Sequence, residues 1–520
     1  METGNNARSA ASENPTPAFS SLEKRQKNKF SLKFAILAST VSLLLGYNIG
    51  AMIGGDPFIV YNLNLSNTQA DILIIIINLF AAIGSVAAGR TSDWIGRRFT
   101  FTISAVILFI GSIILAFAQN YATLLVGRSV AGIGVGYALM VAPVYTVEIS
   151  PALSRGFLTS FPEFFTNVGI FLAYICIYFV SRLSDELSWR LMLGLGAIPS
   201  IILAFSFLRL PESPRWLVMQ GRLSEAKNVL VKIYDSEEEA VLRLIEIKPE
   251  AGITENYTED EIAAAVGQKR SNGGGVWKEL FLHPSPSIRR ILIASVGVLF
   301  LQQASGIDAV ALYTPQIIQR VGLEIPEILG GRGAVGFCKT CFVLISAFLA
   351  DRIGRRRLLL TSVAGMVVSL LGLGVGLKVA EHYPDKPLPW AIALCIATVL
   401  SYAGFFSIGL GPTSWVYCSE AFPLRLRAEG VSVAAAVNRA TSAAIMGTFR
   451  PLSNGITTGG TIFVYAGIAS AGWVFLYIML SDTQGKRLEE LGAVFRKADE
   501  PVIDAHHNRR ERNINGQIGK

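Results

Sequence analysis

The sequence is poor in charged residues, cysteine and histidine. Only 16% of its 520 residues are charged, and it contains five cysteines and four histidines. The cysteines lack the second ligand pair that a zinc site needs, the histidines accompany no nucleophile at a catalytic spacing, and no phosphate-binding loop occurs. These absences argue against an enzyme, a metal centre or a nucleotide site. We therefore expect no catalytic residue, no metal and no cofactor.

The chain is instead rich in apolar sequence. Hydrophobic residues make up 51% of it, and its mean hydropathy is +0.46. They form runs of about 20 residues, the length of helix that crosses the hydrocarbon core of a bilayer, where backbone groups must be bonded within their own segment. The sequence therefore predicts an all-α integral membrane protein. Its twelve spans are predicted at roughly 33–55, 70–90, 99–118, 121–146, 157–181, 190–210, 289–316, 329–350, 358–379, 388–418, 429–450 and 459–481.

Two charged motifs occur twice. Asp93–Arg98 reads DWIGRR and Asp351–Arg356 reads DRIGRR, each after a long apolar run. A Tyr-x-x-Glu pattern with an arginine seven residues after the glutamate is also duplicated, at 145–155 and 417–427. Two motif pairs in the same order indicate an internal duplication, which is common among membrane transporters and predicts two pseudo-symmetric six-helix halves. The predicted segments are an N-terminal tail, the first half, a linker with short helices, the second half and a C-terminal tail, at 1–32, 33–210, 211–288, 289–481 and 482–520.

Basic residues set the expected orientation. Lysine and arginine collect in the N-terminal tail and in the loops after the second and eighth spans, whereas the loop at 56–69 has none. Because positively charged loops stay in the cytoplasm, we expect both termini to be cytoplasmic. The net charge of +8 follows from this bias and does not indicate nucleic-acid binding. The plasma membrane is the expected location by default.

Six motifs carry a resemblance to a known family. They are Asp93–Arg98, Pro143–Gly156, Pro211–Leu217, Gln302–Asp308, Asp351–Arg356 and Gly411–Pro412 with Trp415. Because these motifs occur in this order relative to the spans, the chain resembles the sugar-porter branch of the major facilitator superfamily over about residues 33–492. Within that branch it looks most like the plant polyol and monosaccharide transporters. That closer similarity rests on Ser160–Glu163, Gly306–Val310 and Val437–Arg439.

The resemblance implies a major facilitator fold that moves linear polyols or monosaccharides across a bilayer by alternating access. The implied ligands are a small polyol or sugar and, in a symporter, protons. In this family, charged residues at the inner face hold one state and separate in the other, which supplies the differential contacts that a conformational switch needs. The arginines also fit simple positive-inside anchors. The implied gating residues are Asp93, Arg97, Arg98, Glu148, Arg155, Asp351, Arg355, Arg356, Glu420 and Arg427.

Substrate recognition is expected at the midplane between the halves. A hydroxylated ligand needs convergent amides and carboxylates, with an aromatic wall for its C–H faces. One buried amide can equally serve helix–helix packing, but that explanation fits the whole set less well. The substrate-binding residues that the resemblance implies are Gln302, Gln303, Asp308, Glu163, Asn438 and Trp415.

Five charged residues lie within the predicted spans, where each is costly unless it is paired or faces water. They are Arg128, Glu163, Asp308, Lys339 and Arg439. We expect Asp308 and Lys339 to form an ion pair between the seventh and eighth spans. Such a pair would keep Asp308 ionised as an acceptor for hydroxyl groups.

One position departs from the family pattern. Proton-coupled sugar porters carry aspartate after the Gly-Tyr of the first span, paired with the arginine that corresponds to Arg128, but this chain has Asn48. An amide cannot titrate, so Asn48 favours uniport. Glu163 could carry the proton instead, because burial in an apolar cavity raises the pKa of a carboxyl, and symport is slightly preferred for that reason.

Three functions therefore stay open: proton symport, facilitative uniport, and a sugar sensor that does not transport. The tail at 482–520 is short for a signalling platform, which weighs against the sensor. The residues considered for proton coupling are Glu163, Asp308, Lys339, Asn48 and Arg128.

Overall fold

The computed structural model describes residues 29–151, 154–180, 182–183, 185–234, 236–251, 274–311, 325–383 and 388–480. Within these ranges every regular element is a helix, which confirms the all-α prediction. The tails at 1–28 and 482–520, and residues 312–316 of the predicted seventh span, lie outside the described residues.

Among the residues that the structure describes, eight helices form the N-terminal half. They are α1 Lys29–Leu63, α2 Asn67–Ile95, α3 Arg97–Ala116, α4 Tyr121–Ile149, α5 Arg155–Thr159, α6 Phe161–Val180, α7 Asp185–Gly194 and α8 Ala197–Phe207. Ser66 begins α2 with a capping box shared with Gln69, and Asn120 caps α4 by accepting from the N–H of Thr123 at 2.9 Å. The pairs α5–α6 and α7–α8 each make one span.

Short helices follow in the polar linker. They are α9 Pro214–Met219, α10 Leu223–Tyr234, α11 Glu237–Glu250 and α12 Gly274–Trp277, the last continued by a π-helical turn at Lys278–Leu282. Leu223 and Leu230 of α10 share an apolar cluster with Leu244 of α11 and with Leu424 from the other half. The linker helices are therefore packed onto the membrane-embedded body of the protein.

In the described part of the C-terminal half, seven helices follow. They are α13 Pro286–Ala304, α14 Ile325–Ile353, α15 Arg355–His382, α16 Pro389–Ile408, α17 Leu410–Ala421, α18 Arg427–Ile456 and α19 Thr458–Met479. A 3₁₀ turn at Leu424–Leu426 precedes α18, and the chain is helical again at 307–311 after α13.

The lengths of these helices agree with a membrane protein of twelve spans. Ten segments of the described chain are long and apolar enough to cross a membrane. Helices α14 and α18, with 29 and 30 residues, are also long enough to cross and complete the twelve.

Glycines allow the closest helix contacts. A Cβ atom on Gly46 of α1 would lie 1.9 Å from the carbonyl oxygen of Thr166 in α6. A Cβ atom on Gly89 of α2 would lie 2.5 Å from Ser432 Oγ in α18, so this glycine lets the two halves approach each other. The α2–α18 and α6–α14 contacts join the halves.

Candidate functional site

A cavity lies between the halves, near the middle of the spans. Its wall is largely apolar, with isoleucine and methionine side chains from α1, α2 and α18. A few polar groups interrupt this wall, as expected for a site that orients a small polar ligand. They are Asn78, Arg128, Asn167, Asp308, Lys339 and Arg439.

A hydrogen-bonded network lies behind Asp308. With its amide oriented to satisfy both neighbours, Gln303 donates to Asp308 Oδ2 at 2.8 Å and accepts from Arg439 Nη2 at 2.5 Å. Arg439 also donates to Asn438 Oδ1 from Nη2 and Nε, at 2.6 and 2.9 Å. Asn438 in turn donates to Gln302 Oε1 at 2.8 Å. The network therefore joins four of the six residues implied for substrate binding, with Arg439 at its centre.

Two interrupted helices meet at this network. Helix α13 ends before a turn in which Gly306 has φ +85°, a left-handed conformation that favours glycine. Helices α16 and α17 are separated at Gly409. Gln302 Nε2 donates to the carbonyl oxygens of Leu410 and Gly411 at 3.2 and 2.8 Å, and so ties the two breaks together.

The predicted ion pair between Asp308 and Lys339 is wrong. No ion pair joins them in the described part of the chain; Asp308 accepts instead from Ser442 Oγ at 2.6 Å. Lys339 Nζ lies 5.5 Å from the centroid of the Phe406 ring. The prediction failed because neighbouring spans do not fix which side chains face each other. The rotation of each helix about its axis, which is set by packing, decides that.

Glu163 and Trp415 do not line the cavity. Glu163 lies in the first turn of α6 and accepts from Asn167 Nδ2, a cavity-lining group, at 3.2 Å. The cations that act on the Glu163 carboxylate are Lys339 and Arg439, both in the opposite half. Trp415 is buried in α17, 7% exposed.

Asn48 and Arg128 lie in contact at the N-terminal side of the cavity. Asn48 Nδ2 donates to the carbonyl oxygen of Leu44 at 3.0 Å, within its own helix. Arg128 donates from Nε to the carbonyl oxygen of Leu73 at 3.3 Å and from Nη1 to that of Asn48 at 3.4 Å. Carbonyl oxygens therefore hold this guanidinium, and no carboxylate of the described residues does.

We call the end of the molecule where α2 ends after Asp93 and α14 ends after Asp351 the motif face. There Arg97, which is fully buried, donates from Nε and Nη2 to both oxygens of Glu148, at 3.0 and 3.1 Å. Its Nη1 donates to Asp93 Oδ1 at 3.0 Å. Glu148 also lies 3.9 Å from Arg427 of the other half. A bidentate pair such as Arg97–Glu148 is strong and specific. It lies within the N-terminal half, and the Glu148–Arg427 contact connects it to the other half.

The second copy of the motif makes a direct bond between the halves. Arg355 Nη2 lies 3.1 Å from Glu420 and 3.2 Å from Asp351. Asp351 accepts from the backbone N–H groups of Gly156 and Phe157 at 3.0 and 2.9 Å. These N–H groups belong to the first turn of α5, where a negative charge stabilises the helix.

The two copies are not equivalent. In the described part of the chain the Asp93 carboxylate accepts only from Arg97, and Glu212 of the linker provides the helix cap instead. Glu212 Oε1 accepts from the backbone N–H of Arg97 at 2.9 Å and Oε2 from that of Arg98 at 3.3 Å, at the start of α3. Burial raises the pKa of the Glu212 carboxyl. Trp216 Nε1 donates to the Asp93 carbonyl oxygen at 3.1 Å. Glu212 and Trp216 are not among the functional residues predicted from the sequence, although both belong to one of the six motifs.

Two of the implied gating arginines lie beside this network. The Arg98 guanidinium lies 5.5 Å from the Phe99 ring centroid, and Arg356 donates to the carbonyl oxygen of Tyr477 at 2.7 Å. Neither forms an ion pair within the ranges that the structure describes. Arg155 is buried at the start of α5, 4% exposed.

The opposite end of the molecule also holds an ion pair between the halves. Arg450 Nη1 of α18 lies 3.2 Å from Asp71 Oδ2 of α2, with side chains 31% and 21% exposed. Along α2, Asp71 and Asp93 are separated by ~33 Å at the rise of an α-helix. The two halves therefore contact each other at both ends of the cavity, at the motif face and through Arg450 and Asp71.

A cavity with a few polar groups between two helical halves, with separable contacts at each end, defines a multi-pass membrane transporter of the major facilitator type. The chain belongs to the sugar transporter family: the model of that family, described as "Sugar (and other) transporter", matches residues 34–495. This membership confirms the sugar-porter resemblance and a transporter in place of an enzyme.

Relatives and solved structures agree with this assignment. The chain is 51% identical to Polyol transporter 5 of Arabidopsis thaliana over 90% of this chain and 87% of that protein. It is 32% identical to the major myo-inositol transporter IolT of Bacillus subtilis (strain 168), over 91% and 97% of the two chains. The proton:xylose symporter XylE bound to 6-bromo-6-deoxy-D-glucose matches with a TM-score of 0.78 at 24% identity, covering 90% of this chain and all of that chain. The last likeness confirms the predicted fold.

Proposed function

We propose that this chain moves a linear polyol or a monosaccharide by alternating access, coupled to protons. The observation that carries the proposal is the Asp308–Gln303–Arg439 network beside the cavity between the halves. A polyol presents many hydroxyl groups, each able to donate and to accept, and a carboxylate, an amide and a guanidinium together match both properties. The relatives named as polyol and myo-inositol transporters support this substrate class.

The conformational step is proposed to use the motif face. The Glu148–Arg427 contact and the Asp351 cap of α5 both join the halves. When the halves separate at this face, both contacts break. Contacts made in one state and absent in the other are what a ligand can bias.

Glu163 is the proposed proton-coupling residue. Asn48 cannot titrate, so another carboxyl must take the proton. Glu163 belongs to the N-terminal half, whereas Lys339 and Arg439, which attract its carboxylate, and Asp308, which repels it more weakly, belong to the C-terminal half. Protonation of Glu163 would remove an attraction between the halves and so link the proton to their movement.

The test is uptake of labelled sorbitol and glucose into proteoliposomes, with and without an inward proton gradient. We expect accumulation above equilibrium that a protonophore abolishes. Glu163→Gln is expected to abolish accumulation while exchange of labelled substrate continues, because the amide cannot release a proton. Glu186→Gln, an exposed glutamate in the first turn of the α7–α8 span and outside the cavity, is the matched control and is expected to accumulate substrate normally. Gradient-driven accumulation by Glu163→Gln would contradict the assignment.

A second candidate is facilitative uniport, which Asn48 specifically favours. Equilibration of substrate without accumulation would establish it. A complete absence of uptake in folded protein would favour a non-transporting sensor.

The plasma membrane and a cytoplasmic motif face are also part of the proposal. The arginine-rich loops after the second and eighth spans support a cytoplasmic position for this face. Epitope tags at both termini that are reached by antibody only after permeabilisation of cells would agree with it. Antibody labelling of the tags in intact cells would show the opposite orientation, with both termini outside the cell.

A further inference from the structure

Arg128 is a buried cation that the proposed polyol site does not use. It lies in α4, is 2% exposed and borders the cavity. Its Nε and Nη1 make long hydrogen bonds of 3.3 and 3.4 Å to backbone carbonyl oxygens. Its Nη2 has no hydrogen-bond partner among the described residues. The guanidinium therefore keeps unused donor capacity at the wall of the cavity.

The charges around the cavity do not balance. Three cations line it, Arg128, Lys339 and Arg439, but Asp308 is the one acidic side chain of the described residues that does so. Glu163, behind the wall, is the second carboxylate. With both carboxylates ionised the group carries one net positive charge, and protonation of either carboxylate raises the excess to two.

The excess arises beside Arg128. Its neighbour Asn48 is neutral and uses its Nδ2 on a carbonyl oxygen of its own helix. A buried guanidinium without a counter-charge is costly in a membrane protein, and the cost falls when an anion reaches it. The planar fork of an arginine suits a carboxylate or another small anion.

We propose that Arg128 forms a site for a small monovalent anion that enters from the cavity. The anion is either a free inorganic ion such as chloride or the carboxylate of an acidic sugar derivative such as an aldonate. Both sources share one chemistry, a single negative charge that accepts from Nη2 of Arg128. The anion would supply the charge that an acidic residue at position 48 would otherwise provide.

Binding is tested by the thermal unfolding of the purified full-length protein. The titrants are sodium chloride and sodium gluconate, with sodium sulfate at equal ionic strength as the reference. We expect a saturable rise in Tm of about 2 °C or more with chloride, with gluconate or with both. A rise in Tm with chloride alone would identify a free inorganic ion as the bound anion. A rise with gluconate alone would identify the carboxylate of an acidic sugar derivative. No saturable response to either salt, or an equal response to sulfate, would overturn the proposal.

Two variants locate the response at Arg128. Asn48→Asp places a carboxylate beside the guanidinium and is expected to raise the starting Tm and abolish the response to the anion. Arg128→Gln removes the binding group and is expected to abolish the response too. Arg182→Gln, an exposed arginine outside the cavity, is the matched control and is expected to respond as the unmodified protein does. If Arg128→Gln does not fold, Asn48→Asp decides: a full response to the anion in that variant would refute the site.

Discussion

Asn438 connects Arg439, at the centre of the polar network, to Gln302. It is fully buried, it donates to the carbonyl oxygen of Leu299 at 2.7 Å and to Gln302 at 2.8 Å, and it accepts two bonds from Arg439. Hydrogen bonds to a charged group contribute about 1.5–3 kcal/mol each. We expect Asn438→Ala to free the Arg439 guanidinium from its position and to raise the KM for the transported polyol by about tenfold or more, measured as initial uptake rate against concentration.

The control for this substitution is Asn228→Ala, an exposed asparagine of α10. It is expected to leave the KM unchanged. A lower Tm with an unchanged KM in Asn438→Ala would assign Asn438 to helix packing alone.

The sequence predicted residue types better than the contacts between them. Gln302, Gln303, Asp308 and Asn438 were predicted on the basis of family motifs, and the structure places all four in one network. Arg439, the centre of that network, was predicted only to be paired or to face water, and Asp308 was predicted to pair with Lys339. A buried charge is visible in a sequence, but its partner depends on helix rotation and on the breaks in α13 and α16.

At the motif face, the first turn of α5 forms a contact between the halves. Two of its backbone N–H groups donate to Asp351 of the other half. A charge at a helix N-terminus contributes up to about 1 kcal/mol. Asp351→Asn is therefore expected to shift the population towards the state open at the motif face by about fivefold. The shift can be measured as a longer distance between spin labels at Trp94 and Ile353, in a cysteine-free background.

Asp93→Asn is the matched comparison, because Asp93 occupies the same place in the other motif copy but caps no helix of the opposite half within the described chain. Its effect on the distance between the labels should be clearly smaller. Equal shifts in the two variants would mean that the cap is not what distinguishes the copies.

At the scale of elements, the sequence predicted the existence of the helices well. The apolar runs placed the spans to within a few residues at most ends, since length and hydropathy report directly on contact with lipid. The breaks at Gly306 and Gly409 were not predicted, because a glycine within an apolar run occurs equally in close helix packing, as at Gly46. Only the positive φ of Gly306 shows its role, and φ is not readable from one sequence.

For the whole molecule, the two ends of the cavity are closed by contacts of different strength. At the motif face, the side chains of Glu148 and Arg427, which belong to different halves, are fully buried and lie 3.9 Å apart, and Asp351 accepts two backbone hydrogen bonds across the interface. At the opposite face, the Asp71–Arg450 pair is partly exposed to solvent, with side chains 21% and 31% exposed. Pairs that solvent screens contribute at most about 1 kcal/mol, whereas removing one partner of a buried pair costs about 3–5 kcal/mol. We therefore expect the two halves to separate more readily at the face of Asp71 and Arg450 than at the motif face.

This difference predicts how the Asp71–Arg450 pair sets the balance between the two open states. Asp71→Asn should favour opening at that face by about fivefold or less, and raised salt should have a similar effect on the unmodified protein. The readout is the distance between spin labels at Tyr61 and Ile456, which are exposed near the same end of the molecule. The exchanged pair, Asp71→Arg with Arg450→Asp, should restore the original distance distribution, because it keeps the attraction between the halves. If the exchanged pair behaves like the single variant, the ion pair is not the contact that holds this face closed.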